Sequence, residues 1–247
     1  MKLGTAARSI LGVGSLLALA AYRHGRAGIN RHVADYASFW AERGDGGKDA
    51  LRYVALGDSA AQGVGASHVS QGYVPRLGRR LAEATGRDVV ITNLSVSGAT
   101  SDDVVRDQLP LLAALSFTPD VVTLDIGAND VVFPGHTPST FTTSFDQILK
   151  ALPPGSFVGD VPWFALPVWG RQSREMAGRA ARLIERHGHH LVPLHQASRA
   201  AGLRLYHRYT ARDLFHPNDL GYEGWADTFW AVMEDSAVVE TLSGRPS

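Results

Sequence analysis

The 247-residue chain contains no cysteine. This absence excludes a disulfide framework, a thiol nucleophile and any zinc site built on cysteine. An excess of charge of one sign is also missing, because 24 basic residues are balanced by 24 acidic ones. Without a field of one sign, neither nucleic acid nor a strongly charged substrate is indicated as a partner.

Two signatures of common α/β sites are missing as well. The pair Gly63 and Gly65 has no third glycine at the offset that a dinucleotide fingerprint requires, where His68 stands. The Gly-x-Ser-x-Gly elbow of the α/β-hydrolase fold is absent around Ser59. The sequence therefore indicates neither a nicotinamide enzyme nor an ordinary α/β-hydrolase.

The start of the chain carries an apolar run from Ile10 to Tyr22, preceded by Lys2 and Arg8. A basic start and an apolar stretch of this length are typical of a secretory signal, and Ala18-Leu19-Ala20 offers a small-x-small cleavage pattern. The run is shorter than the roughly 20 residues of a full membrane span. We therefore expect an exported protein, either secreted or associated with the membrane through this segment. An amphipathic helix lying on the domain is the alternative.

The rest of residues 1–50 is expected to form a connector with a helix over 30–42, followed by a folded domain over 51–247. Short apolar segments alternate with helical ones in that domain. Strands are predicted over 52–56, 89–94, 121–126, 157–166 and 191–194, and helices over 73–85, 101–115, 139–152, 171–187 and 220–241. This alternation predicts a three-layer αβα domain, doubly wound and flavodoxin-like, around a five-stranded parallel sheet.

A candidate site residue follows each of the first three predicted strands. Ser59 comes after the first, Gly98 after the second and Asn129 after the third. Taken singly, each has an ordinary explanation as a helix cap or a turn residue. Together they lie at the carboxyl edge of the sheet, where α/β folds bind ligands. A serine hydroxyl there could act as a nucleophile, with a glycine N–H and an asparagine amide as oxyanion donors.

Asp213 and His216 follow the fifth strand and precede the last helix, so they should reach the same edge. Their spacing lets the carboxylate accept from the ring Nδ1–H, which leaves Nε2 free to act as a base. Alone, the pair could be a surface ion pair without a role. One site explains all five residues together.

The ordered blocks Gly57-Asp58-Ser59, Gly98, Gly127-Ala128-Asn129-Asp130 and Asp213-Leu214-Phe215-His216-Pro217 resemble those of the SGNH/GDSL hydrolase family. The resemblance spans about residues 51–235, and some runs are similar to exported actinobacterial members. Ala60 departs from the leucine of the family's name. The resemblance implies an SGNH hydrolase fold with Ser59 as nucleophile, His216 as base and Asp213 as its orienting carboxylate. It also implies oxyanion donors on Ser59, Gly98 and Asn129, and no metal or organic cofactor.

The expected substrate is a small-molecule ester or an acylated glycan. Val64, Val131 and Phe133 adjoin the blocks and could form a wall for an acyl chain, although core packing is the favoured explanation. No insertion is long enough for a large lid, which favours short to medium acyl chains. An acyltransferase and a polysaccharide deacetylase would use the same triad, and a non-catalytic binding module or a metal-dependent phosphoesterase is a more distant alternative.

Four histidines lie close together in the sequence: His187, His189, His190 and His195. Because they straddle a helix end and a strand, their side chains are expected to diverge rather than bind a metal. The oligomeric state is not indicated.

Overall fold

The computed structural model describes residues 33–41, 47, 49–200 and 202–244, with the backbone alone for 203–205. The apolar run Ile10–Tyr22 and its Ala18-Leu19-Ala20 pattern lie outside these residues, so export stays a prediction. Among the described helices, none is both long and apolar enough to cross a membrane.

Five parallel strands form one sheet, in the order β2-β1-β3-β4-β5. The strands are β1 (Leu51–Gly57), β2 (Val89–Asn93), β3 (Val121–Asp125), β4 (Phe157–Gly159) and β5 (His190–Val192). The predicted number, direction and approximate position of the strands are confirmed. The first strand of the chain therefore lies inside the sheet, and its carboxyl end faces the ends of β2 and β3.

The helices connect and cover these strands. They are α1 (33–41), α2 (Ser59–Gln62), α3 (Tyr73–Thr85), α4 (Ser101–Asp103), α5 (Leu109–Ala113), α6 (Ala128–Val132), α7 (Pro138–Ala151), α8 (Pro167–Arg186), α9 (Leu194–Ala200), α10 (Gly202–Tyr209), α11 (Asp219–Asp235) and α12 (Val238–Leu242).

Alternate residues of β1 pack on opposite faces of the sheet. Tyr53 and Ala55 belong to a core formed with α3 and α11, whereas Val54 and Leu56 belong to a second core formed with α7 and α8. All four side chains are fully buried. Helices on both faces of a parallel sheet give the predicted three-layer αβα arrangement.

Three predicted segments differ from the structure. The fourth strand ends at Gly159 rather than near 166, because the chain leaves the sheet before Pro162. The helix expected over 101–115 is interrupted by a π-helical segment, Val104–Gln108. The segment between β5 and the last long helix, for which no helix was predicted, holds α9 and α10.

The helix α1, part of the predicted connector, packs on the loop that follows α2. The Tyr36 hydroxyl donates to the Ala66 carbonyl over 3.0 Å, and the Trp40 indole donates to the Gln62 carbonyl over 3.1 Å. Tyr36 also packs against the fully buried Val64. This helix therefore braces the segment that comes directly after Ser59.

Candidate active site

Ser59 is presented by the sharp connection between β1 and α2. Gly57 ends the strand with φ 141°, and a Cβ at this position would lie 2.2 Å from the Asp125 carbonyl oxygen of β3. Asp58 is the N-cap of α2, since its carboxylate accepts from the Ala60 N–H over 2.9 Å. Ser59 is thereby the first residue of a helix at the carboxyl end of the sheet.

Gln108, which the sequence analysis did not single out, fixes the backbone just before this turn. Its side-chain Nε2 donates to the Gly57 carbonyl over 2.7 Å, and its Oε1 accepts from the Gly57 N–H over 2.9 Å. The side chain is fully buried and comes from the π-helical segment. Glutamine satisfies both groups because its amide carries a donor and an acceptor.

Asp213, His216 and Ser59 form one continuous hydrogen-bonded row. The Asp213 carboxylate lies 2.6 Å from His216 Nδ1, and His216 Nε2 lies 2.9 Å from the Ser59 hydroxyl oxygen. The Asp213 Oδ1 atom also accepts from the N–H groups of Phe215 and His216, each over 3.1 Å. Leu214 adopts a left-handed φ of 55° within this tight turn. The structure thus brings together the three residues that the sequence motifs single out.

The ionisation of Asp213 follows from these contacts. Burial alone would raise the pKa of the Asp213 carboxyl, because it removes solvent from the charged form. The hydrogen bond from His216 and the two backbone N–H groups outweigh burial and hold the pKa below its ordinary value. The carboxylate is therefore charged at neutral pH, and it favours the tautomer of His216 with the proton on Nδ1.

The loop that carries His216 lies against the segment after Ser59. A Cβ at Gly65 would lie 2.4 Å from the Pro217 carbonyl oxygen and 2.8 Å from the His216 Cβ, so the two segments approach as closely as a glycine allows. The Ala211 N–H donates to the His216 carbonyl over 2.7 Å. The Asn218 side chain then caps α11 by accepting from two backbone N–H groups. The position of the imidazole is set by backbone contacts on both sides.

Of the predicted oxyanion donors, the Ser59 N–H belongs to the nucleophile itself and the Asn129 amide contacts the neighbouring Asp58. The Ser59 N–H, the first of α2, donates no hydrogen bond among the described residues. Gly98 lies in an exposed turn after β2, and its N–H has no acceptor within the same described part of the chain. The Asn129 Nδ2 donates to the Ala99 carbonyl over 2.8 Å and to the Asp58 Oδ2 over 3.3 Å. The buried Asn129 amide therefore contacts the segments that follow β1 and β2.

Asp58 places a second carboxyl group next to these donors. Burial raises its pKa to about 6, against the lowering effect of its hydrogen bond from the Ala60 N–H and of the nearby His216. A neutral Asp58 would place less negative charge beside a developing oxyanion than an ionised one. Asp130 is fully buried nearby and accepts from both the N–H and the hydroxyl of Ser101. It anchors the start of α4 rather than entering the row of Asp213, His216 and Ser59.

A cavity of about 490 Å³ opens beside Ser59 and His216. Its wall combines the loop after β4, helices α9 and α10, and one face of α11. The large side chains of this wall are aromatic or aliphatic: Trp163, Phe164, Tyr206, Tyr209, Phe215, Leu220 and Trp225. The sequence analysis did not predict this wall. Two of the helices that form it, α9 and α10, lie in a segment for which no helix was predicted.

Val64, Val131 and Phe133, the apolar residues predicted to contact substrate, lie elsewhere. Val64 and Val131 are buried in hydrophobic cores, and Phe133 is exposed at the end of α6. None of the three lines the cavity. Their placement favours the packing explanation for the two valines.

Three of the four histidines between 187 and 195 have separate hydrogen-bond partners. His187 lies 2.8 Å from Asp146, His189 lies 2.8 Å from the Leu149 carbonyl, and His195 lies 3.0 Å from the Val161 carbonyl. Over the described residues, no group of three or more His, Asp or Glu side chains is arranged to hold a metal ion.

A family model described as the GDSL-like lipase/acylhydrolase family matches residues 55–223. That range contains Ser59, Gly98, Asn129, Asp213 and His216. Among curated proteins, none matches the chain.

Solved structures with the same fold include several esterases and lipases. A protein described as TesA is 22% identical, with a TM-score of 0.62 over 75% of this chain and 99% of its own. LAE5, an α/β hydrolase enzyme from the metagenome of Lake Arreo, Spain, is 25% identical, with a TM-score of 0.59 over 75% and 96%. The psychrotrophic esterase EstA from Pseudoalteromonas sp. is 22% identical, with a TM-score of 0.58 over 75% and 97%.

Proposed function

The chain belongs to the GDSL-like lipase/acylhydrolase family, and from that premise we propose that it hydrolyses carboxylic esters of short to medium acyl chains through an acyl-enzyme formed on Ser59. The observation that carries the proposal is the row in which His216 Nε2 lies 2.9 Å from the Ser59 hydroxyl while Asp213 holds Nδ1. A nucleophile, its base and an orienting carboxylate in contact are what acyl transfer through a serine requires.

In the first half of the reaction, the Ser59 hydroxyl oxygen attacks the ester carbonyl carbon and gives its proton to His216 Nε2. The carbonyl oxygen becomes an oxyanion, which accepts from the N–H groups of Ser59 and Gly98 and from the Asn129 amide. The 3.3 Å bond from Asn129 to Asp58 is the longer of its two bonds, so it is the one that exchanges for the oxyanion. The carbon–oxygen bond to the alcohol then breaks, and His216 returns its proton to the leaving oxygen.

In the second half, water attacks the acyl carbon and gives a proton to His216. The bond to Ser59 breaks, the proton passes from His216 to the serine oxygen, and the carboxylic acid leaves. Asp213 stays ionised throughout and stabilises the imidazolium in both halves. The side chains of the chain supply every proton transfer in this scheme.

The test is Ser59→Ala in the full chain, assayed on a short-chain aryl ester. We expect kcat to fall by at least about 10⁴-fold while the far-UV circular dichroism and Tm stay unchanged. Ser139→Ala is the matched control, because Ser139 is exposed on α7, away from the site. A fluorophosphonate should label the wild-type protein at Ser59 and leave Ser59→Ala unlabelled. Substantial turnover by a folded Ser59→Ala protein would overturn the proposal.

A further inference from the structure

We infer that Tyr36 and Trp40 on helix α1 are positioning residues that keep the nucleophile, its base and an oxyanion donor in one geometry. The inference rests on the proposed function, because it concerns the groups that would transfer the proton and bind the oxyanion. Helix α1 covers residues 33–41, whereas the family model matches residues 55–223. The motifs that indicate the reacting groups therefore do not include this helix, and its contacts define its role.

One face of α1 is directed towards the domain. Tyr36 is buried and Val33 and Trp40 are partly buried, whereas the other residues of the helix are exposed. Spacings of three and four residues place these side chains on one face of a helix. The two polar groups of this face, the Tyr36 hydroxyl and the Trp40 indole N–H, both donate to carbonyls of the segment 62–66. The helix therefore holds the main chain that comes shortly after the nucleophile.

Val64 connects α1 with Ser59. It is fully buried and belongs to the same hydrophobic cluster as Tyr36. The Val64 N–H donates to the Ser59 carbonyl over 2.9 Å, and the Val64 carbonyl accepts from the Tyr222 hydroxyl over 2.5 Å. Val64 is thus held between α1 and α11, and a shift of this residue would move the main chain of the nucleophile.

Ala211 connects α1 with His216. It packs against the hydrophobic cluster that contains Tyr36, and its N–H donates to the His216 carbonyl over 2.7 Å. A Cβ at Gly65 would lie 3.3 Å from the Ala211 Cβ and 2.8 Å from the His216 Cβ, so the segment 62–66 lies directly against the loop of the base. One cluster therefore supports the backbone of both the nucleophile and the base.

Trp40 acts on the side of the oxyanion donors. The Gln62 carbonyl accepts from the Trp40 indole, and the Gln62 side chain is buried. The Gln62 Nε2 donates to the Ser95 carbonyl over 2.8 Å, and its Oε1 accepts from the Ser97 hydroxyl over 2.6 Å. Ser97 immediately precedes Gly98. Gln62 therefore links Trp40 to the turn that carries a proposed oxyanion donor.

Loss of either donor on α1 should slow the chemical step rather than weaken substrate binding. Without the Tyr36 hydroxyl, the carbonyl of the fully buried Ala66 loses that donor, and the segment 62–66 must shift to pair it again. A displacement of about 1 Å near reacting groups can lower a rate about 10²-fold, so a shift of a few tenths of an ångström predicts a loss of about tenfold. None of the described residues of α1 lines the cavity beside Ser59, so KM should change little.

The experiment measures kcat and KM of the full chain on a short-chain aryl ester, together with the second-order rate constant for fluorophosphonate labelling of Ser59. We expect Tyr36→Phe and Trp40→Phe each to lower kcat and the labelling rate constant by about tenfold, with KM within about twofold of wild type. Tyr36→Ala also removes the ring from the cluster and should lower both constants by roughly 10²-fold. The phenylalanine variants keep the test decisive if Tyr36→Ala does not fold.

Tyr53→Phe is the matched control. It removes a buried tyrosine hydroxyl that bonds to the Thr123 hydroxyl over 2.9 Å, within the sheet rather than to the segment 62–66. We expect Tm to fall in Tyr53→Phe about as it does in Tyr36→Phe, with kcat and the labelling rate constant within about twofold of wild type. Ser38→Ala, at an exposed position of α1, should leave Tm and kcat unchanged.

A purely structural role of α1 would lower Tm and the folded fraction while leaving kcat per labelled Ser59 unchanged. Unchanged kcat per labelled site in folded Tyr36→Phe or Trp40→Phe would therefore overturn the positioning role of that residue. An equal fall in Tyr53→Phe, or a rise in KM with kcat intact, would overturn it as well. Absence of both turnover and labelling at Ser59 in the wild type would instead reject the proposed function itself.

Discussion

The side-chain amide of Gln108 forms hydrogen bonds with both the N–H and the carbonyl of Gly57, as the backbone of a neighbouring strand would. Gln108 comes from a π-helical interruption, 51 residues along the chain from the glycine that it holds. Through Gly57 it fixes the connection on which Ser59 is presented. The backbone geometry of the nucleophile therefore depends on a side chain that takes no part in the chemistry.

Gln108→Ala should destabilise the protein and lower activity together. The substitution leaves the Gly57 N–H without an acceptor in a fully buried place, while the Gly57 carbonyl keeps its bond from the Val96 N–H. A buried unpaired donor and the space left by the side chain should cost about 2–4 kcal/mol of unfolding free energy, measured by urea denaturation. Gln196→Ala, at an exposed site, is the control. An equal, small loss in both variants would contradict this role of Gln108.

Asp213→Asn should separate the electrostatic role of Asp213 from its structural one. The asparagine retains an Oδ1 that can accept from the Phe215 and His216 N–H groups, so the turn should survive. The charge that stabilises the imidazolium is lost, and kcat should fall by about 10³- to 10⁴-fold with little change in Tm. Asp213→Ala should lose both activity and stability. Near wild-type kcat in Asp213→Asn would show that the charge of Asp213 is not needed for catalysis.

Gly65→Ala should displace the loop that carries His216. The added Cβ would meet the Pro217 carbonyl oxygen at 2.4 Å, so the loop must move by several tenths of an ångström or more. We expect kcat to fall by at least about tenfold, since a small misplacement of a catalytic group is costly. Gly86→Ala also places alanine at a positive φ, but its Cβ meets nothing within 4 Å. Comparable kcat in the two variants would rule out the steric explanation.

Asn129→Ala should weaken the oxyanion site. Loss of one side-chain donor typically lowers kcat by about 10²- to 10³-fold, with a smaller effect on KM because the ground state is less charged. The Ala99 carbonyl and the Asp58 carboxylate also lose a donor, so Tm should fall modestly. Steady-state kinetics on an aryl ester provides the measurement. A change confined to KM would argue that Asn129 binds the substrate rather than the oxyanion.

The buried Asp160 should make stability decline as the pH rises. Burial raises the pKa of its carboxyl from the ordinary 3.8 to about 7, despite lowering hydrogen bonds from the His195 and Leu194 N–H groups. Between these values the folded state keeps a proton that the unfolded state releases, so the contribution of Asp160 to stability falls as pH rises through this window. Above about pH 7 the loss is complete.

Asp160→Asn removes that titration and keeps an acceptor for the His195 N–H, which lies 2.6 Å from the carboxylate. Urea denaturation near pH 8 should show the variant more stable than wild type by about 1–3 kcal/mol, with the difference shrinking towards about pH 4. A gain of equal size at both pH values would exclude ionisation of Asp160 as the cause.

The sheet could be predicted because its strands are buried on both faces and therefore appear as short apolar runs between helices. The position of Ser59 followed from β1, and the approach of His216 followed from its place before the last long helix. Gln108 could not be found in this way, since an isolated glutamine in a helical pattern carries no signal of a buried partner. The start of α8 at Pro167 had a readable signal, because proline favours the first turn of a helix.

The cavity wall could not be predicted from the sequence, for a different reason. Phe164 follows β4, for which the predicted strand extended beyond the observed end. Tyr206 lies in α10, a helix that was not predicted. Their meeting with Phe215 is a property of tertiary packing, and periodicity along the chain does not contain it. The apolar residues that adjoin the motifs, Val64 and Val131, are therefore poor guides to where a ligand lies.

Ser59 and His216 lie 157 positions apart, so the catalytic row can form only when nearly the whole chain has been synthesised. A ribosome-bound chain that has released β1 but not the segment before α11 presents the hydroxyl without its base. Such a partial product has no means to deprotonate Ser59, and it cannot attack esters in the compartment where it is made. Enzymatic turnover in a translation reaction should consequently lag behind the appearance of the amino-terminal half by the time needed to make the rest.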